Sequence, residues 1–270
     1  MLYDAAFFKK NERVLLKGKI KNSKRSIKRF VIAFATVIFV FAVLLGIGYY
    51  YVSDYYLADM SVCSADADGQ VLRIEGDGEI CIYKEGAEVG LVFYPGGKVE
   101  YNAYIPLLRA CAERGIYCVV VEMPLNLAVF DVDAALDVTK RHSDIKQWYI
   151  AGHSLGGAMA ANHLSKNPEI YSGIILLGAY ASDDISCSGA DVLSVYGSND
   201  GVLDREKYER YKKNLGEGYL EYVIDGGNHA YFGAYGEQAG DGDADVTRDE
   251  QIRVTADKIA MFMGLGSEDK

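Results

Sequence analysis

The stretch WYIAGHSLGGAM, residues 148–159, decides the fold of this chain. It begins as a short apolar run, passes through the sequence GHSLG at residues 152–156, and continues with small and apolar residues at helical spacing. This order predicts a strand, a very tight turn and a helix, with Ser154 at the apex of the turn. Glycines flank the apex because so sharp a turn leaves no room for side chains on either side.

The predicted turn makes the hydroxyl of Ser154 a candidate nucleophile. At the apex its Oγ stands clear of the sheet, where a base and a substrate carbonyl can both reach it. The backbone N–H of Leu155, at the start of the helix, would stabilise a developing oxyanion. A G-x-S-x-G match is common by chance in a glycine-rich chain, but the strand before it, the helix after it and Gly157 favour the functional interpretation.

A second informative stretch is residues 30–52, which contains only apolar residues, Gly, Thr and Tyr. Its length suits a transmembrane helix, since a helix of about 20 apolar residues spans a bilayer core. Basic residues crowd the chain before it and tyrosines follow it, which predicts an uncleaved signal anchor with a cytoplasmic N-terminus and an extracytoplasmic remainder. A cleaved signal peptide is the alternative, but bulky tyrosines stand where a small-residue cleavage site would be needed.

We therefore expect four segments and a cell-membrane location: a basic cytoplasmic tail (1–29), a transmembrane helix in the lipid bilayer (30–52), a linker (53–69) and a folded domain (70–270).

The chain has 28 basic and 38 acidic residues, and its first 59 positions hold 10 basic and 4 acidic residues. The remaining 18 basic and 34 acidic residues make the rest of the chain strongly acidic, which argues against nucleic acid as a partner.

The five cysteines show no C-x-x-C pair and no Cys–His spacing typical of a metal site, so no metal is expected. Cys111 and Cys118 fall in predicted buried elements, where a free thiol is the usual state. Cys63 and Cys81 could form a disulfide in an oxidising compartment.

After the linker, residues 71–75 and 79–83 alternate across a Gly-Asp-Gly turn and predict a β-hairpin. Apolar strands then alternate with amphipathic helices, which predicts an α/β fold with a mostly parallel sheet flanked by helices on both faces. The further strands are predicted at 89–94, 116–121, around 148–152, 174–179, 192–196 and 220–224, and the helices at 101–114, 131–141, after Ser154, 206–215 and 247–263. Functional residues in such sheets collect at the carboxyl ends of the strands.

This rule selects a base for Ser154 among four histidines. His153 lies within the turn, His163 on the following helix and His142 at the wrong end of a strand. Only His229 follows the carboxyl end of a strand, in a glycine-containing loop that can bring an imidazole to the hydroxyl, and it is the predicted base.

The same rule selects the carboxylate that orients the base. Asp200 follows the strand at 192–196 in the turn YGSNDG and is preferred. Asp204 has the position of a helix N-cap, and the pair Asp183 and Asp184 follows the preceding strand, so these remain competitors. The chain order Ser, Asp, His is one of the known orders for this triad.

The loop PGGK at residues 95–98 follows the first parallel strand and should supply the second oxyanion donor. Gly97 is the first choice because its amide can approach a carbonyl without a side chain in the way, and Lys98 is the second. Residues near strand ends are candidates either for substrate binding or for ordinary packing: Lys98, Met123, Asn126, Phe130, Tyr180 and Phe232.

With the motifs GHSLGG, YGSNDG and GGNHA, residues 88–264 resemble the α/β-hydrolase superfamily, and most of all its compact, lidless, dienelactone-hydrolase-like bacterial branch. Many relatives have His-Gly where this chain has Pro95-Gly96. The resemblance implies an α/β-hydrolase fold, a Ser-His-Asp triad and no cofactor. Only about a dozen residues separate the strands at 174–179 and 192–196, so a large lid does not fit there.

The sequence therefore predicts a membrane-tethered serine hydrolase that cleaves an ester or related acyl bond of a small molecule through an acyl-enzyme intermediate. The same triad serves acyltransferases, thioesterases and peptidases, because the pocket rather than the fold selects the substrate. A non-catalytic, membrane-tethered binding module with the same fold is the remaining alternative. The oligomeric state is left open.

Overall fold

A computed structural model describes residues 5–63, 71–76 and 78–266. Residues 1–4 of the predicted tail and 64–69 of the predicted linker lie outside the described residues. The chain divides into two compact units, Met1–Ser53 and Asp54–Lys270.

The first unit contains one long helix, α1 (Ala5–Ser53). Its segment Lys28–Ser53 comprises 26 residues and is long and apolar enough to cross a membrane. This segment includes the predicted span at 30–52. The helix also continues through most of the basic tail, which the sequence analysis treated as a separate segment.

Within its described residues, the second unit is built on one eight-stranded sheet. The strands are β1 (Leu72–Gly76), β2 (Glu79–Tyr83), β3 (Val89–Tyr94), β4 (Ile116–Val121), β5 (Gln147–His153), β6 (Tyr171–Leu177), β7 (Asp191–Gly197) and β8 (Leu220–Ile224). The pairs β1–β2 and β2–β4 are antiparallel, and all other neighbouring pairs are parallel. The order of the strands across the sheet is β1-β2-β4-β3-β5-β6-β7-β8.

Helices cover both faces of this sheet because the central strands are apolar on both sides. In the described residues, the helices of this unit are α2 (Met60–Cys63), α3 (Ile105–Glu113), α4 (Ala134–Arg141), α5 (Leu155–Lys166), α6 (Arg205–Tyr211) and α7 (Arg248–Phe262). One hydrophobic cluster packs the sheet against α3 and α7, and a second packs its other face against α4 and α5. The predicted fold class is confirmed.

Two predicted helices begin later than expected. Residues Tyr101–Tyr104 form a separate 3₁₀ turn, and α3 starts only at Ile105, followed by proline in its first turn. Similarly, α4 begins at Ala134, after a 3₁₀ turn at Ala128–Phe130. Short local turns of this kind are frequent at helix starts, and hydrophobic periodicity alone does not distinguish them from α-helix.

The start of the predicted linker is packed rather than free. Tyr56 forms an isolated parallel bridge with Val99, and the N–H of Ala58 donates to the Glu100 carboxylate at 2.9 Å. The side chain of Cys63 is fully buried against the α3 side of the sheet. The described part of the linker, residues 54–63, therefore belongs to the folded domain.

All five cysteines are free thiols, so the disulfide considered between Cys63 and Cys81 is not formed. The two residues belong to hydrophobic clusters on opposite faces of the sheet, which keeps their sulfur atoms apart. Cys111 and Cys118 are buried thiols, as expected.

Candidate active site

Ser154 occupies the bend between β5 and α5 with φ 52° and ψ −123°, a strained conformation for a residue with a side chain. Its N–H donates to the carbonyl of Leu177 at 2.9 Å, which fixes the bend against β6. A Cβ on Gly152 would overlap the backbone of Gly156, and a Cβ on Gly156 would overlap the Pro95 carbonyl. Glycine is therefore required on both sides of the predicted nucleophile.

The imidazole of His229 is held by the carboxylate of Asp200. The distance from Nδ1 of His229 to Oδ2 of Asp200 is 2.8 Å, and both side chains are buried. The other oxygen of Asp200 accepts the N–H groups of Val202 at 2.9 Å and Leu203 at 2.8 Å. Asp200 is thus fixed by its own turn, and its remaining oxygen faces the imidazole.

The competing carboxylates have other partners. Asp204 is the N-cap of α6, where its Oδ1 accepts the N–H of Lys207 at 3.0 Å. Asp184 accepts hydrogen bonds from the backbone and hydroxyl of Ser186. Asp183 accepts a hydrogen bond from its neighbour Ser182 at 3.3 Å.

Ser154 and His229 line the same cleft, whose volume is ≈ 440 Å³. The Nε2 atom of His229 is buried and has no hydrogen-bond partner within the described residues. The imidazole therefore keeps one nitrogen available for a proton from a hydroxyl, while Asp200 holds the other. Leu155, Tyr180, Leu203 and Lys207 form other parts of the wall.

The loop after β3 has three backbone N–H groups that could serve as an oxyanion donor. The N–H of Gly96 donates to the hydroxyl of Tyr104 at 2.9 Å, and the N–H of Lys98 donates to the carbonyl of Asn126 at 2.7 Å. Across the described part of the chain, the N–H of Gly97 has no such acceptor. A Cβ on Gly97 would lie 2.9 Å from Cδ2 of Leu155, so the two predicted donor residues are neighbours.

A buried pair missed by the sequence analysis supports this loop. The hydroxyl of Tyr104 accepts from Gly96 and lies 2.8 Å from Nδ1 of His153. Burial lowers the pKa of His153 well below its usual value, and the neighbouring imidazole of His229, with ring centroids 4.4 Å apart, lowers it further. A neutral ring therefore lies beside the predicted base.

Asp241 joins the loop that carries Asp200 to the loop that carries His229. Its Oδ1 accepts the N–H of Gly201 at 3.1 Å and the N–H of His229 at 3.1 Å. Its Oδ2 accepts the N–H of Ala230 at 2.8 Å. Its Oδ1 also accepts the N–H of the adjacent Gly242 at 2.9 Å. The sequence analysis did not select this residue because its three partners in the two loops lie 11 to 40 positions away.

Gly178, just after β6, was also missed. It has φ +51°, and a Cβ there would lie 2.9 Å from Nδ1 of His229 and 3.1 Å from Oδ2 of Asp200. Only glycine leaves space for the contact between these two side chains. A glycine directly after the carboxyl end of a predicted strand was the available sequence signal.

The predicted substrate-binding residues separate into two groups. Tyr180 lines the cleft, whereas the other candidates are not among its lining residues. Lys98 forms an ion pair with Asp54 at 3.1 Å. Met123 and Phe232 are buried in the two hydrophobic clusters, and Asn126 accepts the N–H of Lys98 in a left-handed turn. Phe130 is exposed.

Comparisons with known proteins agree with this architecture. The sequence profile described as "Alpha/beta hydrolase family" matches residues 90–253. No curated protein matches the chain.

Solved structures with the same fold have low sequence identity to this chain. A "predicted CIB-like hydrolase" from Thermoplasma acidophilum is 16% identical with a TM-score of 0.53, covering 70% of this chain and 97% of that one. TT1662 from Thermus thermophilus is 15% identical with a TM-score of 0.54, covering 73% and 99%. Est1E from Butyrivibrio proteoclasticus is 15% identical with a TM-score of 0.52, covering 72% and 98%.

The family match covers more than half of the chain and includes β4 to β8 and all of β3 except its first residue. The family and its hydrolase neighbours support a hydrolase activity in general terms. From the sheet order, the bend at Ser154 and this match together, we conclude that the chain belongs to the alpha/beta hydrolase family.

Proposed function

We propose that this protein is a serine hydrolase that cleaves an ester or related acyl bond of a small molecule. Ser154 attacks the acyl carbonyl, and His229 takes the hydroxyl proton and later gives it to the leaving group. Asp200 keeps Nδ1 of the imidazole protonated and stabilises the imidazolium. Water then releases the acyl group from Ser154.

One observation carries the proposal: a strained serine and a carboxylate-bound imidazole with a free nitrogen line one cleft. Among the described residues with a buried nitrogen that lacks a partner, only His229 lines the cleft that contains Ser154. A substrate-attacking hydroxyl gives this nitrogen a function.

The backbone amides of Leu155 and Gly97 are the proposed oxyanion hole. Leu155 is the first residue of α5, so its N–H has no partner within the helix. The assignments of Gly96 and Lys98 to other acceptors leave Gly97 as the second donor. Both groups would stabilise charge that develops only in the transition state.

The size and opening of the cleft favour a small substrate. Its volume of ≈ 440 Å³ is at the lower end for small-molecule sites, and Ala158, Val202 and Leu203 give it an apolar wall. The connection of residues 178–190, all within the described part of the chain, contains no helix that could close over it. We therefore propose a preference for short acyl chains.

The segment Lys28–Ser53 is the proposed membrane anchor. The excess of Lys and Arg before it favours a cytoplasmic N-terminus, with the hydrolase domain on the other side of the membrane. Protease protection in sealed vesicles tests this orientation, and cleavage of the domain only after lysis of inside-out vesicles is the expected result.

The activity is tested with the full chain purified in detergent. A fluorophosphonate probe is expected to label the wild type and the S165A variant, and not S154A. Ser165 is the matched control because it lies on the same helix and its hydroxyl donates to the local carbonyl of Asn162. Labelling of S154A equal to that of the wild type would refute the assignment of Ser154 as the nucleophile.

A series of p-nitrophenyl esters of increasing acyl length then tests the substrate class. Turnover that depends on Ser154 and declines with chain length is the expected result. Faster transfer of the acyl group to an added alcohol than to water would identify an acyltransferase. Turnover of amide substrates but not of esters would identify a peptidase. Absence of any turnover that depends on Ser154 would favour the binding module.

A further inference from the structure

We propose that Glu79, Cys81 and His142 form a zinc-binding site outside the active-site cleft. Glu79 and Cys81 lie on β2, and His142 follows the last residue of α4. None of the three lines the cleft that contains Ser154. The proposal does not depend on the hydrolase activity.

The spacing of the three donor atoms suits a single metal ion. One ligand atom from each residue lies within 4.8 Å of the others. Nε2 of His142 is 3.7 Å from Sγ of Cys81 and 3.1 Å from Oε1 of Glu79. With metal bonds of about 2.0–2.3 Å and tetrahedral angles, neighbouring ligands of zinc lie about 3.3–3.8 Å apart. The two distances to Nε2 are close to this range, and the Cys81 sulfur and the Glu79 oxygen lie within 4.8 Å of each other.

The tertiary structure creates this cluster from distant parts of the sequence. Glu79 and Cys81 are two positions apart on one strand, so their side chains point to the same face of the sheet. His142 lies about 60 positions later, which is why no metal-ligand spacing is visible in the sequence. Glu79 and Cys81 are buried, and His142 is partly buried, so competition from water is limited.

Neighbouring side chains hold two of the donors in a ligating orientation. The guanidinium of Arg141 holds both carboxylate oxygens of Glu79: one nitrogen contacts Oε2, and Nε lies 3.4 Å from Oε1, which also faces the imidazole. The hydroxyl of Tyr117 lies 3.1 Å from Nδ1 of His142. Zinc-bound histidines commonly donate from the other ring nitrogen in this way, because that bond fixes the ring and its tautomer.

The chemistry of the donor set selects zinc. One thiolate, one imidazole and one carboxylate combine the ligand types that zinc takes most often, and water would complete four-coordination. On binding, the Cys81 thiol loses its proton to solvent as the sulfur–zinc bond forms, and the neutral imidazole of His142 carries its one proton on Nδ1, where it donates to Tyr117, so that Nε2 exchanges its contact with Glu79 for the ion. The thiolate and the carboxylate then balance the two charges of the ion, while Arg141 remains outside the coordination shell.

Cobalt(II) is the probe, because it replaces zinc and gives a ligand-to-metal charge-transfer absorption only when a thiolate is bound. The full chain, purified in detergent and stripped of metal with a chelator, is titrated with cobalt(II) and then with zinc. The expected result is one equivalent of cobalt per chain with a thiolate band, which one equivalent of zinc removes.

Three variants locate the site. C81S is expected to lose the thiolate band, whereas C187S is expected to keep it, because Cys187 is exposed and outside the cluster. Y117F retains all three ligands but loses the bond to the imidazole, so its affinity for zinc should fall about 10–100-fold. If C81S does not fold, the thiolate band is measured in H142N instead, and its loss or weakening is the expected result.

Absence of a thiolate band in the wild type would overturn the proposal, as would an unchanged band in both C81S and H142N. Either result would mean that Arg141, Glu79 and His142 form only a hydrogen-bonded ion-pair network. Zinc binding without cobalt charge transfer would likewise exclude Cys81 as a ligand.

Discussion

The bridge made by Asp241 gives the sharpest prediction about the proposed triad. Its carboxylate accepts N–H groups from both the Asp200 loop and the His229 loop, at 3.1 Å for Gly201, 3.1 Å for His229 and 2.8 Å for Ala230. We infer that Asp241 is a positioning residue that keeps the imidazole of His229 at hydrogen-bonding distance from the carboxylate of Asp200. The perturbation is Asp241→Asn, which changes one oxygen to an NH₂ group.

The magnitude follows from the number of acceptors that the variant retains. An asparagine carbonyl can still accept at the position of Oδ1, but its NH₂ group would face the N–H of Ala230, so at least one hydrogen bond is lost. A hydrogen bond to a charged group contributes about 1.5–3 kcal/mol to stability, and because Asp241 is only half-buried we expect the lower end of this range. A displacement of the imidazole by about 1 Å would reduce turnover about 100-fold.

The assay compares kcat, KM and the pH profile of D241N with those of D243N on a short p-nitrophenyl ester. Asp243 is an exposed residue two positions away, so the control makes the same change in charge. We expect kcat of D241N to fall about 10–100-fold with little change in KM. A kcat within twofold of the control, in a variant with reduced thermal stability, would mean that Asp241 only stabilises the fold and would refute its positioning role.

Three further predictions test the surroundings of the site. Gly178→Ala should reduce kcat/KM at least about tenfold, because its Cβ would lie 2.9 Å from Nδ1 of His229, whereas Gly189→Ala, at a positive φ in open space, should leave kcat/KM unchanged. Tyr104→Phe should lower the free energy of unfolding by about 1–3 kcal/mol, because it leaves the buried N–H of Gly96 without an acceptor. An unchanged midpoint of denaturant unfolding would contradict this. The folded protein holds the pKa of His153 well below its usual value, so this residue favours the folded state fully above pH 6.5. As the pH falls below 6.5, the free energy of unfolding should drop by about 1.4 kcal/mol per pH unit, because only the unfolded chain takes up the proton. Denaturant titrations from pH 7.5 to 5 should show a less steep fall in the H153Q variant.

Sequence patterns were sufficient for the parts of the structure that depend on neighbours along the chain. The apolar run, paired glycines and small residues at 148–159 predicted a strand, a bend and a helix, and the structure contains β5, Ser154 in a strained bend and α5. The alternation of strands and helices likewise predicted the parallel sheet. Glycine requirements and hydrophobic periodicity are local, so a sequence records them directly.

The candidate site was partly accessible because parallel strands deliver their carboxyl ends to one edge of a sheet. That rule selected Asp200 and His229, and in the structure Nδ1 of His229 lies 2.8 Å from Oδ2 of Asp200. The sequence analysis ranked Gly97 above Lys98 because glycine has no side chain, and the structure adds that the Lys98 amide already donates to the carbonyl of Asn126. The rule also selected Met123 and Phe232, which are near strand ends but face the hydrophobic clusters.

The sequence by itself determined the class of fold, the bend at Ser154 and the presence of an apolar segment long enough for a membrane. Only the tertiary structure decided which distant groups meet: Asp241 with two loops, Tyr104 with His153, and Cys81 with His142. The physical reason is that hydrogen bonds and metal ligation depend on distances of a few ångströms between atoms. Those distances are set by the packing of the whole sheet and its helices, and not by separation along the chain.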